Sequence, residues 1–275
     1  MRLRKKVQIL SAIALNSSFF FEFKSLCLPV LNCHSCPLAI FACPIGIIGQ
    51  FSALHLFPFL IVGILLFFGA LIGRLFCGWC CPFGLLQELL YKIPSPKIPI
   101  ARHFEKLKYL ILGVLVIALP FFFGTNTSFF FCKLCPPATI QSALPWAIIR
   151  QELPELIPGL LRTTLLLAVI IFAIASLRAF CKILCPLGAL MGMFNKFSLL
   201  FITKNNADCN RCKNCEQECT MRITYDNNNI ANGRRSSECI LCLECDKKCS
   251  ASRRLGIQNL FDLKDGKKQE KFYCS

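Results

Sequence analysis

The residues best equipped for chemistry are cysteines, twenty of them in 275 residues, and their spacing is not that of a disulfide framework. Cys209, Cys212, Cys215 and Cys219 form a C-x2-C-x2-C-x3-C run, and Cys239, Cys242, Cys245 and Cys249 repeat it. Closely spaced thiolates are soft, anionic donors suited to iron, and this run is the bacterial pattern for two [4Fe-4S] cubes. Three thiols of a run take three irons of one cube, while the fourth crosses to the other. Cys209, Cys212, Cys215 and Cys249 are therefore expected on one centre, and Cys239, Cys242, Cys245 and Cys219 on the second. Zinc, the competing metal, is normally held by two separated C-x2-C pairs. The proline that usually follows the fourth cysteine is replaced here by Thr220 and Ser250.

Two further sets lie upstream. Cys77 and Cys81 in F-C-G-W-C-C-P-F-G match Cys181 and Cys185 in F-C-K-I-L-C-P-L-G, giving two C-x3-C-P motifs. Spacing i, i+4 puts both thiols of a motif on one side of a helical turn, and proline suits the first helical position. The unbonded amides and dipole at such a helix start favour an anionic group. Two thiols from each motif make the four that one more cube needs; buried thiols acting as small apolar side chains are the competing reading. The last set is Cys36, Cys43, Cys132 and Cys135, with Cys33 as a substitute for one of them. It reads either as a fourth cube or as disulfides Cys33–Cys36 and Cys132–Cys135. Cys27, Cys80 and Cys274 are spare.

The elements that must position these thiols are apolar. Residues 54–72 and 163–177 contain no Lys, Arg, Asp or Glu, which is bilayer composition. Transmembrane helices are expected at about 7–23, 51–73, 108–124 and 159–178. The first follows Arg2, Arg4, Lys5 and Lys6 and is not followed by a small-x-small cleavage signal, so it reads as an uncleaved anchor. Its 17 residues reach only ~26 Å, a short span. Cys-Pro pairs at 43–44, 81–82, 135–136 and 185–186 close the ends of the helical hairpins. Residues 7–92 and 108–196 thus read as two copies of one hairpin, related by a pseudo-twofold along the membrane normal.

The segment between the second and third spans carries Arg74, Lys92, Lys97, Arg102, Lys106 and Lys108. By the positive-inside rule it lies in the cytoplasm with both termini, while 24–50 and 125–158 face outward. Residues 187–202 are expected as an amphipathic surface helix. The fold class expected is an α-helical membrane protein with four transmembrane helices in two repeated hairpins, plus a small C-terminal α+β two-cluster ferredoxin domain. Its boundaries are a membrane domain 1–202, a ferredoxin domain 203–252 and a charged tail 253–275.

The formal charge of +16 sits mainly at the ends of apolar segments, so it reads as topology and not as a nucleic-acid surface. Three histidines, His34, His55 and His103, with no C-x-x-C-H motif, give no haem signature. His34, within the outer cysteine loop, reads as a solvated loop residue before a ligand or quinol contact, and His55 as an interfacial one that a quinone headgroup could touch. Phosphate-binding, zinc-hydrolase and nucleophile-elbow motifs are absent.

These motifs resemble the membrane polyferredoxins similar to the NapH subunit of periplasmic nitrate reductase systems. The resemblance is carried by residues 32–46, 73–87, 131–138 and 180–189 together with the two ferredoxin runs, nearly the whole chain. It implies an electron-transfer protein of the prokaryotic cytoplasmic membrane, passing electrons between quinol or outer partners and other redox proteins. The second copy departs from the pattern, since its outer motif is C-x2-C-P where relatives often show C-x3-C-P.

The expected function is a relay of four [4Fe-4S] clusters between an outer or quinol-side partner and a cytoplasmic carrier. The expected partners are lipid and a cytochrome, flavoprotein or ferredoxin. The chain is then an electron-transfer subunit of an oxidoreductase complex more than a stand-alone enzyme. The alternatives are a quinol dehydrogenase subunit without an outer cluster, a metal-reducing accessory protein for cofactor assembly, and a structural anchor.

Overall fold

The computed structural model describes residues 3–18, 27–98, 100, 102–127, 129–146, 160–204, 214–223, 236–245 and 253–257. They are mostly helical, and the chain divides into two compact units. One comprises residues 1–65 and 79–190, the other 66–78 and 191–275.

In the first unit the Cys-Pro pairs set the local structure. Proline disfavours the helical region for the residue before it and pre-sets its own φ for a first turn. Cys43 (φ −72°, ψ 126°), Cys81 (−69°, 116°) and Cys135 (−64°, 119°) accordingly all stand extended, as N-caps. Helices Pro44–Ala53, Pro82–Leu90 and Pro136–Ala138 start immediately after them. The duplication is visible in helix lengths. Leu75–Trp79 followed by Pro82–Leu90 has the same five and nine residues as Ala179–Ile183 followed by Pro186–Phe194.

Among the described residues, His103–Phe123 is the helix long and apolar enough to cross a membrane. Its middle, Leu112–Ala118, is a π-helix just ahead of Pro120, which lacks the N–H that an α-helix needs there. The Ser52 hydroxyl donates to the Ile117 carbonyl (2.8 Å) in this stretch. Gly124, at φ 70°, ends the helix.

The other apolar helices are shorter than expected. The span expected over 51–73 breaks at its start. Pro44–Ala53 ends, His55 takes φ 56°, Pro58 restricts Phe57, and Phe59–Ile72 begins afresh. Leu160–Ala175 has 16 residues, and the N-terminal helix runs Leu3–Leu15.

The basic N-terminus is also not simply a topology signal. Arg4, 4% exposed, pairs with the buried carboxylate of Glu88, which also accepts from Arg178 Nε (2.9 Å) and Nη2 (2.6 Å).

In the second unit, the helix expected over 187–202 stops at Phe194. Leu200–Lys204 is instead a strand, paired antiparallel with Arg253–Ile257 in the register Leu200 to Ile257. The signal for a strand was hidden because its partner lies some fifty residues downstream.

Candidate functional site

The fifteen cysteines whose side chains are described are free thiols, so neither outer disulfide is formed. Four line one cavity, four belong to the two C-x3-C-P motifs and four to the ferredoxin runs, while Cys27, Cys36 and Cys80 fall outside these sets.

The outer set is built from both copies. Cys33 and Cys43 from the first, with Cys132 and Cys135 from the second, line one apolar cavity of about 30 Å³. The copies are pinned together there. The Cys33 N–H donates to Gln141 Oε1 (2.9 Å), and the Ser142 hydroxyl to the Ser35 carbonyl (3.1 Å). Cys36, expected as a ligand in preference to Cys33, does not line this cavity. The Cys33–Cys36 turn, closed by Cys36 N–H to Cys33 O (3.0 Å), gives its two cysteines different surroundings.

Burial pushes the Cys43 thiol up to about 11, although the Ile45 and Gly46 amides at the helix start pull the other way. Burial also raises Cys33, Cys132 and Cys135, and their mutual repulsion adds to the last two. Arg162 faces Cys33 and Cys135 electrostatically, and its Nε donates to Thr139 Oγ1 (2.8 Å). His34 is not a free loop residue. Its ring lines the cavity, and its Nε2 contacts Gln50 Nε2 (3.0 Å). A Cβ on Gly46 would lie 2.8 Å from His34 Nδ1 and 3.5 Å from Cys132 Sγ, so the cavity wall requires glycine there.

Of the inner thiols, Cys81, Cys181 and Cys185 belong to the first unit and Cys77 to the second. Cys81 and Cys185 are buried, and the Gly188 amide donates to Cys185 Sγ (3.2 Å) as a capping bond with sulfur in place of oxygen. Gln87, 1% exposed, accepts from the Phe180 N–H at Oε1 (3.1 Å), which fixes its amide so that Nε2 donates to Cys181 Sγ (3.2 Å). Arg178, fully buried beside Glu88, faces Cys181 and Cys81 electrostatically. Sequence reasoning missed Gln87, Arg178 and Arg162. One signal was present: Arg74 and Arg178 occupy equivalent places, two residues before the Phe-Cys of each motif.

In the second unit, Cys219, Cys242 and Cys245 all lie within electrostatic reach of Cys239, and Cys219 packs with Cys242, so the structure brings the set expected for one ferredoxin centre around Cys239. Burial pushes Cys239 up to about 12 against the Leu241 amide, which lowers it. Leu241 (φ 52°) and Leu243 (φ 57°) are left-handed, each at a cost of about 1–3 kcal/mol. Left-handed residues alternating along a loop turn its amides inward to form an anion nest. Thr220, standing where a proline was usual, puts its hydroxyl 3.3 Å from Cys242 Sγ. The other centre's Cys209, Cys212 and Cys249, the side chain of Cys215, and Cys274 lie outside the described residues. Among the described residues no group of three or more His, Cys, Asp or Glu surrounds a single ion. A cube spreads its four thiolates over four irons, not around one point.

The family model that matches is the 4Fe-4S binding domain, and it matches twice, over residues 54–101 and 159–204. These are the segments holding the two C-x3-C-P motifs. The chain is 31% identical over 262 residues to the uncharacterized protein MJ0750 of Methanocaldococcus jannaschii, covering 89% of this chain and 93% of that one. It is 27% identical to the putative electron transport protein YccM of Escherichia coli, over 75% of this chain and 57% of YccM. It is 30% identical to the regulatory protein NosR of Pseudomonas aeruginosa, over 63% of this chain but 23% of NosR. No solved structure matches. With thiols paired between duplicated Cys-Pro hairpins, and a relative matched over nearly its whole length, the chain belongs to the NapH-like polyferredoxin family of 4Fe-4S-binding proteins.

Proposed function

We propose that this chain is a multi-pass protein of the cytoplasmic membrane that relays single electrons through four [4Fe-4S] centres, with both termini and the ferredoxin segment on the cytoplasmic side. The observation that carries the reading is the meeting of Cys33, Cys43, Cys132 and Cys135 from two copies around one cavity. Burial and mutual repulsion oppose ionisation of these four thiols, and iron would supply the positive charge that lets them bind as thiolates. The outer ligands are therefore Cys33, Cys43, Cys132 and Cys135, with Cys33 taking the place first given to Cys36. The C-x3-C-P thiols Cys77, Cys81, Cys181 and Cys185 serve the inner centre, a reading supported by the 4Fe-4S binding domain match on both segments.

When bound, the cubes supply one-electron carriage, with potentials set by hydrogen bonds to sulfur, charge and burial. The protein's part is to hold those terms fixed. Gln87 and the Gly188 amide donate to inner sulfurs, Arg178 adds buried positive charge beside them, and Arg162 does the same outside. Membrane residence is supported by apolar side chains turned outward along three helices. Phe59 is 79% exposed, Phe122 75% and Leu160 71%, which in water would be an aggregation surface. With a hydrocarbon core about 30 Å thick, thiol sets at both faces break the crossing into shorter steps. The donor and acceptor are redox proteins or quinol. The likeness to YccM, a putative electron transport protein, supports this reading.

The test is an anaerobic potentiometric titration followed by paramagnetic resonance on the intact protein and on Gln87→Leu. Four one-electron centres are expected, and Gln87→Leu should move one midpoint negative by roughly 50 mV, about 1 kcal/mol for one electron. If only the two ferredoxin centres titrate in the intact protein, the relay is refuted.

A further inference from the structure

The two C-x3-C-P motifs are copies, yet among the described residues the ferredoxin segment packs on the first of them. Every contact involved lies inside the second unit. Arg74, 1% exposed, donates through Nη1 to the Ser237 carbonyl (2.9 Å) and to Glu238 Oε2 (2.9 Å). Asn195, 4% exposed, donates through Nδ2 to the carbonyls of Ser236 (2.7 Å) and Cys239 (3.1 Å). Asn195 Oδ1 in turn accepts from the Arg74 amide (3.4 Å). These bonds grip the backbone that leads directly into the second cysteine run.

Two glycines make the fit possible. Gly73 holds φ 54°, and a Cβ there would run into Asn195 Oδ1, with Ser198 Oγ at 3.0 Å. A Cβ on Gly78 would strike the Ile240 carbonyl. Between these glycines, Cys77 packs against the cluster of Cys219, Met221, Ile240 and Cys242. In the second copy the equivalent positions are Leu177 and Lys182, side chains too large for this approach, while the equivalent arginine, Arg178, is answered by Glu88. The copies have thus diverged at the positions where a bare backbone is needed.

We infer that the first C-x3-C-P motif is a docking seat for the second ferredoxin run, with Gly73, Arg74, Gly78 and Asn195 as its positioning residues. The set made by Cys219, Cys239, Cys242 and Cys245 is then the one that faces a C-x3-C-P thiol, Cys77. The clusters these sets would hold would exchange one electron there, one cluster being oxidised as the other is reduced, with no bond or proton moving. This inference rests on the relay reading for its redox consequence, but not for the docking itself.

Two measurements on the full-length protein, prepared anaerobically in detergent, test it. Hydrogen exchange of residues 236–242 should speed up at least about tenfold in Asn195→Ala and in Gly78→Val. Asn195→Ala should retain its iron, which separates undocking from unfolding. Unchanged protection in both variants overturns the seat. In the dithionite-reduced protein, the magnetic interaction between the membrane-domain and ferredoxin signals should vanish in Cys242→Ser and persist in Cys212→Ser. The reverse pattern overturns the order of the centres. If the intact protein shows no membrane-domain signal, the relay reading fails, and hydrogen exchange alone still decides the docking.

Discussion

Replacing Glu88 by leucine is expected to destabilise the protein by about 3–5 kcal/mol, a large share of the 5–15 kcal/mol that holds a typical domain together. Glu88 is 8% exposed and carries the negative charge between Arg4 and Arg178, which are 4% and 0% exposed. Removing the carboxylate leaves two buried guanidinium groups without it, and the cost is theirs more than the lost bonds'. Adding Arg4→Met to Glu88→Leu removes one of those charges and should recover part of the loss. Thermal unfolding in detergent measures both changes. A loss below about 1 kcal/mol for Glu88→Leu would mean that water reaches this triad and that its burial is not energetically real.

Serine at Cys43 or Cys135 is expected to remove one whole cube, about four irons, while serine at Cys36 removes none. Cys43 and Cys135 each cap a helix immediately before a proline, so backbone and thiol are placed together and a neighbouring cysteine cannot take over. Cys36 is buried at 2% but lies outside the cavity lining, so its serine variant should show only a modest stability cost. Iron analysis of the three purified variants decides between the ligand sets. Loss of iron from Cys36→Ser with retention in the intact protein would return Cys36 to the site.

What could be read from the sequence was what the chain decides locally. A Cys-Pro pair dictates an extended cysteine followed by a helix start, and three such caps share nearly one geometry. The C-x2-C-x2-C spacing likewise brings Cys239, Cys242 and Cys245 together, and the cross-over rule adds Cys219. Choices that depend on distant partners were not legible. Cys33 and Cys36 differ by three positions, and contacts from the other copy, from Gln141 and Arg162, fall on Cys33. Arg4 looked like a topology signal because Glu88, its partner, lies 84 residues away. Strand Leu200–Lys204 looked like the end of a surface helix for the same reason. The break near Pro58 was visible in the sequence, but a continuous apolar run outweighed it.

The proposed relay requires thiols from two duplicated hairpins to cradle inorganic cubes outside the ferredoxin segment. The most direct measurement is iron and acid-labile sulfide per chain on anaerobically purified, full-length protein. About sixteen irons with as many sulfides are predicted, four for each centre. A value near eight would contradict the relay, leaving a ferredoxin segment joined to an apolar helical segment whose cysteines hold no iron.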